Sequence, residues 1–237
     1  WDLYGKLRRK PVYELLGADI TKAPITDYTI GIDTIEKMVE KMKQFPHPIY
    51  KIKVGFENDV ETIKALRQHT DAIFRVDANA AWTTEEALNK IPQLKALGVE
   101  LIEQPLAKDN WEGMKQLFEQ NELPLFADES CVFEGDVEKC VGYFHGINIK
   151  FTKCSGMTPA RRMITKAREL GQKVMLGCMN ETSVGTGAMA QLAPFVDYLD
   201  MDGTLLQSEA VGHTYSLQGG SIQYDANPGN GVSVENF

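Results

Sequence analysis

The sequence lacks any apolar run approaching the ~20 residues that a membrane span requires. It also lacks a Pro-, Gly- or Ser-rich linker and any low-complexity tract, so one domain over residues 1–237 is the expectation. Cysteine is scarce: Cys131, Cys140, Cys154 and Cys178 show no C-x-x-C spacing, and no secretory leader precedes them, which argues against a disulfide or zinc framework. Free thiols in a reducing, cytoplasmic compartment are expected. Basic excess is missing too, because 25 Lys and Arg face 33 Asp and Glu for a net charge of −8. Such a surface repels phosphate backbones and anionic lipid, excluding nucleic acid and membranes as expected partners. The few histidines, His47, His69, His145 and His213, are scattered and close no predicted strand, so neither a zinc triad nor a His-based dyad is indicated. The dinucleotide-like string Gly185-Thr186-Gly187 comes late, without a downstream ribose acid, and reads as a close-packed helix start.

What the sequence does contain is a repeated unit. Short β-branched apolar runs recur at Tyr28–Ile32, Ile49–Val54, Ile73–Asp77, Val99–Glu103, Leu125–Asp128, Ile147–Lys150, Val174–Gly177 and Tyr198–Asp202, giving eight candidate strands. Between them apolar residues fall at helical spacing, as in Ile35, Met38, Val39 and Met42. The polar strand ends Lys53, Asp77, Glu103, Asp128 and Lys150 are separated by 24, 26, 25 and 22 residues, the length of one strand plus one helix. Near-continuous apolar strands joined by helices imply a parallel sheet buried on both faces. Eight such units predict an α/β fold of the (β/α)8 TIM-barrel type, with Trp1, Leu3, Tyr4 and Leu7 on one face of a lead-in helix. A doubly wound open sheet is disfavoured, because it gathers ligands at one switch point whereas ionisable residues here end many different strands.

Those strand ends carry the candidate chemistry. Lys51 and Lys53, at i and i+2, point to one side of their strand, where each is expected to lower the other's pKa. Asp77, Glu103 and Asp128 close three consecutive strands, and three carboxylates at one barrel mouth need a cation between them. An oxygen-only set with room for water and substrate suits Mg2+. Singly, each acid reads equally well as a helix N-cap or turn residue. Asn79 shares the face of Asp77 and is expected to support it. Lys150 ends the sixth strand, four positions from the second, so Lys53 and Lys150 should face one another across the barrel. Asp200 and Asp202 repeat the i, i+2 pattern and could bind a cationic substrate group, or could merely cap a turn. Lys153 and Lys173 read as surface charge.

Taken in order, these strings resemble the barrel domain of the enolase superfamily, muconate-lactonizing subgroup, and most closely its dipeptide epimerases of the L-Ala-D/L-Glu type. Lys51-Ile52-Lys53-Val54-Gly55, Asp77-Ala78-Asn79, Glu103-Gln104-Pro105, Ala127-Asp128-Glu129-Ser130 and Asn148-Ile149-Lys150 carry the match, which runs over nearly the whole chain. The resemblance implies a dipeptide substrate and Mg2+ on Asp77, Glu103 and Asp128. It implies Lys53 and Lys150 as the acid/base pair, with Lys51 beside the developing enediolate. It places Thr29, Asn180, Asp200 and Asp202 at the substrate, although Cys178-Met179-Asn180 departs from the small and aliphatic residues of such enzymes. It further implies an N-terminal capping domain upstream of residue 1, and homo-oligomers are common in such families. The same metal and lysines would also serve a cycloisomerase or o-succinylbenzoate synthase, and a non-catalytic ligand-binding barrel is the remaining alternative.

Overall fold

Every predicted strand forms and lies beside its sequence neighbours. The computed structural model describes residues 1–120, 123–206, 212 and 214–233; His213 lies outside the described residues. Eight strands run in the order β1 (Tyr28–Ile30), β2 (Ile49–Lys53), β3 (Ile73–Asp77), β4 (Val99–Glu103), β5 (Leu125–Ala127), β6 (Gly146–Ile149), β7 (Lys173–Gly177) and β8 (Tyr198–Asp200), all parallel. A parallel bridge between Thr26 and Leu199, with Asp27 N donating to Leu199 O at 3.1 Å, draws the last strand back to the first. The barrel is thereby nearly closed. Helices α1 (Asp2–Arg8) and α2 (Val12–Leu15) lead in. The outer helices are α3 (Ile35–Gln44), α4 (Asp59–Arg67), α5 (Thr84–Ala96), α6 (Trp111–Gln120), α7 (Glu134–Lys139), α8 (Phe151–Cys154), α9 (Met157–Glu169) and α10 (Ser183–Ala190). The two-stranded hairpin β9 (Ser216–Gln218) and β10 (Ser221–Gln223) was not expected from the sequence.

The alternation of strand side chains sorts the molecule into two cores. Outward residues such as Ile52, Val76, Ile102, Leu125, Ile147 and Leu176 pack against the helices. Inside, Leu101, Phe126 and Met175 form a separate apolar cluster with Tyr198 against it, filling the lower barrel as stacked layers of inward side chains. Gly146 makes room for this plug, since a Cβ there would collide with the Phe126 ring. Arg75 lies beside it, donating from Nη1 to Asp27 Oδ2 at 3.0 Å and Leu199 O at 3.1 Å, and from Nε to Glu100 Oε2 at 2.8 Å. The next inward layer, toward the C-terminal ends, is ionisable rather than apolar.

Strand ends differ from expectation by a residue or two. β5 and β6 stop just before Asp128 and Lys150, and β8 stops at Asp200, so Asp202 opens a 3-10 turn (Asp202–Thr204). All four cysteines are free thiols. Among the described residues no helix is long and apolar enough to cross a membrane. The apolar face of the lead-in helix forms as expected but stands largely exposed at Leu3, Tyr4 and Leu7.

Candidate active site

Parallel strands deliver their C-terminal ends to one rim, and there the i, i+2 pairs lie together around a cavity of about 720 Å3. Thr29, Lys51, Lys53, Asn79, Asp128, Lys150, Asn180, Asp200 and Asp202 all line it. Asp77 and Glu103 lie just beneath, fully buried. Lys51 is the buried hub: its Nζ lies 3.0 Å from Asp77 Oδ2, 2.8 Å from Glu103 Oε2 and 2.7 Å from Asp200 Oδ2. Burial pulls this ammonium toward neutrality, but Asp200, Asp77 and Glu103 together outweigh it and hold the Lys51 pKa well above the ordinary lysine value. Mutual repulsion with Lys53, expected from the spacing, does not prevail at Lys51. Lys53 is more accessible and donates to Asp77 Oδ2 at 2.6 Å and Asn79 Oδ1 at 3.0 Å.

On the other side of the barrel Lys150 donates to Asp128 Oδ2 at 2.7 Å. Burial lowers the Lys150 pKa and Asp128 more than restores it, leaving it above the ordinary value. β2 and β6 are four strands apart in the eight-stranded order, so Lys53 and Lys150 enter the cavity from opposite sides. The carboxylates respond unequally. Burial, then repulsion by Asp77, raises Glu103 to about 7. Burial likewise opposes ionisation of Asp128, but Lys153 and Lys150 hold it far below the usual carboxylate range. Asp202 is raised to about 6 by burial and then by Asp200, even though its Oδ2 accepts the Thr29 N–H at 2.6 Å. Thr29 sits in the middle of β1.

Three supporting residues escaped the sequence reading. Asn148 donates from Nδ2 to Glu103 Oε1 at 2.9 Å, and Gly177 leaves it space, since a Cβ there would meet Asn148 Oδ1 at 2.5 Å. Its i, i+2 relation to Lys150 was the available signal. Gln104 accepts the Asp128 and Ser130 N–H groups on Oε1 at 3.0 and 3.1 Å, and holds φ at 35° to do so. Lys153, expected on the surface, instead reaches Asp128. Lys173 is the surface charge anticipated, beside Asp197. Asn79 supports Asp77 as expected, its N–H donating to Oδ1 at 2.9 Å.

Among the described residues no three acidic, His or Cys side chains converge as a cation cluster as they stand; ammonium groups lie between the carboxylates. The donor set nonetheless suits a hard divalent ion. Asp77, Glu103 and Asp128 offer only oxygen, and each already has one oxygen held by Asn79, Asn148 or Lys153. Glu103 Oε2 is buried and, although 2.8 Å from Lys51 Nζ, receives no hydrogen bond of proper alignment. An unsatisfied buried carboxylate oxygen is the feature a cation would complete.

Comparison with known proteins agrees with this architecture. Residues 33–236 match the family described as enolase C-terminal domain-like. The chain is 53% identical over 98% of its length to an L-Ala-D/L-amino acid epimerase of a Maribacter species, and 49% identical over 98% to an enzyme of that name from Flavobacterium johnsoniae. It spans 69% of the length of each. A crystal structure of a dipeptide epimerase from Cytophaga hutchinsonii, complexed with Mg and the dipeptide D-Ala-L-Val, superposes with a TM-score of 0.93 at 28% identity, covering 99% of this chain and 67% of that one. With its parallel eight-stranded barrel and its ionisable rim, this chain belongs to the enolase C-terminal domain-like family.

Proposed function

We propose that this protein epimerises dipeptides bearing N-terminal L-alanine, inverting the α-carbon of the second residue by a two-base 1,1-proton transfer. The observation that carries this reading is the entry of Lys53 and Lys150 into one cavity from opposite sides of the barrel. An α-proton beside a carboxylate is very weakly acidic, so its removal requires a positioned base and strong stabilisation of the resulting enediolate. Lys53 Nζ takes the proton from one face of the substrate. Lys150 Nζ, held as an ammonium by Asp128, returns one to the other face, and the reverse reaction exchanges their roles. Lys51, a buried cation, lies against the carboxylate end of the substrate and opposes the charge that develops there. Asp202 and Asp200 accept the substrate's α-ammonium, with Thr29 orienting Asp202 and Asn180 closing the far side of the cavity. Asp77, Glu103 and Asp128 would hold Mg2+, which when bound supplies Lewis-acid stabilisation of the dianion.

The acidic pair favours a dipeptide over the substrates of a cycloisomerase, which have no ammonium to recognise. The test is to incubate the intact protein with Mg2+ and a set of L-Ala-L-Xaa dipeptides in D2O. Deuterium should enter the α-position of the second residue as the other diastereomer accumulates. Absence of exchange with every dipeptide, or exchange that survives both Lys53→Ala and Lys150→Ala, would discard the reading.

A further inference from the structure

Lys153 lies on the single helical turn α8 that follows Lys150. Its ammonium meets four protein oxygens: Asp128 Oδ1 and Asp128 O at 2.5 Å each, Cys131 O at 3.1 Å and Asn148 O at 3.2 Å. An ammonium has three hydrogens, so its donor capacity is fully taken up by protein. An ordinary surface lysine stays mobile because water competes for its head group and ordering its long stem costs entropy. Lys153 is instead 18% exposed and wedged between the chain leaving β5 and the end of β6. Three of its four partners are backbone carbonyls, which cannot turn away. The ammonium is therefore anchored independently of the Asp128 side chain, and the carboxylate takes its orientation from the ammonium.

The two oxygens of Asp128 are divided accordingly: Oδ1 goes to Lys153 and Oδ2 to Lys150. We propose that Lys153 is a positioning residue, fixing Asp128 through Oδ1 so that Oδ2 is the oxygen offered to Lys150 and to a divalent cation. This deepens the proposed function and rests on its assignment of Asp128 to Mg2+.

The experiment compares Lys153→Met, which keeps the length of the stem and loses the charge, with Lys153→Arg, which keeps the charge on a planar fork that cannot reproduce the four contacts. Mg2+ affinity is measured calorimetrically on the intact protein without dipeptide, alongside thermal unfolding of the metal-free protein. Mg2+ binding by Lys153→Met should weaken roughly 10- to 100-fold, the usual effect of losing a residue that orients a ligand. At saturating Mg2+ its kcat should fall while KM for the dipeptide stays within about twofold, because no substrate contact has been removed. Unchanged Mg2+ affinity with lowered unfolding temperature would reduce Lys153 to a structural strut and overturn the proposal. If Lys153→Met does not fold, Lys153→Arg decides: weakened Mg2+ binding supports positioning and wild-type binding refutes it. Wild-type protein that binds no Mg2+ would overturn this proposal and the metal assignment together, whereas loss of affinity in the variants without dipeptide turnover would leave it standing and sink only the substrate reading.

Discussion

Lys51 and Lys53 are two residues apart on one strand and meet opposite environments. Lys51, with three carboxylates around a buried Nζ, is held as a cation, whereas Lys53 is the more exposed of the two in the cavity. That division assigns the charge to one residue and the proton transfer to the other. It leads to a stereochemical expectation: Lys150→Ala should still exchange the α-proton of the diastereomer that faces Lys53, and Lys53→Ala that of the other. Each should lose net epimerisation by about 10^2- to 10^4-fold, followed by NMR of separate L,L and L,D dipeptides in D2O. Equal exchange of both diastereomers by either variant would contradict a two-base arrangement. Asp202 gives a prediction in stability rather than rate. Its carboxyl, raised from 3.8 to about 6 by burial and then by Asp200, favours the fold when protonated. That contribution is complete below pH 3.8 and is lost as the pH climbs toward 6. Asp202→Asn keeps an oxygen for the Thr29 N–H and cannot ionise, so its stability relative to wild type should grow across this window, by on the order of 2–3 kcal/mol. Denaturant unfolding at pH 4, 5 and 7 measures it, and a constant difference would show that Asp202 titrates normally.

At the scale of the element, the strands were legible because two signals coincide. A parallel strand buried on both faces is nearly all apolar, so the one or two charged residues at its end stand out, and their i, i+2 spacing fixes which side they share. β3 and β4 end at Asp77 and Glu103 as read. Lys153 was not legible because it stands three residues past Lys150 on a turn whose helical character the strand pattern does not announce. The β9–β10 hairpin was missed because Leu217 and Ile222 are its only large apolar residues, too few to make an alternating pattern. Glycines at strand positions were equally silent, since their role depends on a neighbouring strand. Gly177 on β7 is the clearest example: Gly177→Ala would press a Cβ to 2.5 Å from Asn148 Oδ1, forcing that side chain away from Glu103. The expected cost is about 1–3 kcal/mol of stability, with a fall in Mg2+ affinity that Gly146→Ala, which instead presses on the Phe126 plug, should not share. Equal Mg2+ affinity in the two variants would detach Asn148 from the site.

Across the whole molecule, stability and chemistry occupy opposite ends of one barrel. The lower interior is closed by Leu101, Phe126, Met175 and Tyr198 and tied across the seam by Arg75 to Asp27 and Leu199. A much larger apolar layer lies between sheet and helices. None of these contacts involves Asp77, Glu103 or Asp128, so the fold should not depend on a cation at the mouth. Chelation is therefore expected to abolish turnover while leaving the cooperative unfolding transition in place. Mg2+ that binds only the folded protein should then stabilise it by mass action, adding about 2.7 kcal/mol at a hundredfold excess over its dissociation constant. For a chain of this size that corresponds to a rise of roughly 5–10 °C in Tm. The increase should vanish in Asp128→Asn and shrink in Lys153→Met at the same Mg2+ concentration. Calorimetric melts with and without chelator decide between the outcomes. Unfolding on chelation would make the ion structural, and a Tm indifferent to Mg2+ would leave the acidic rim without a cation to hold.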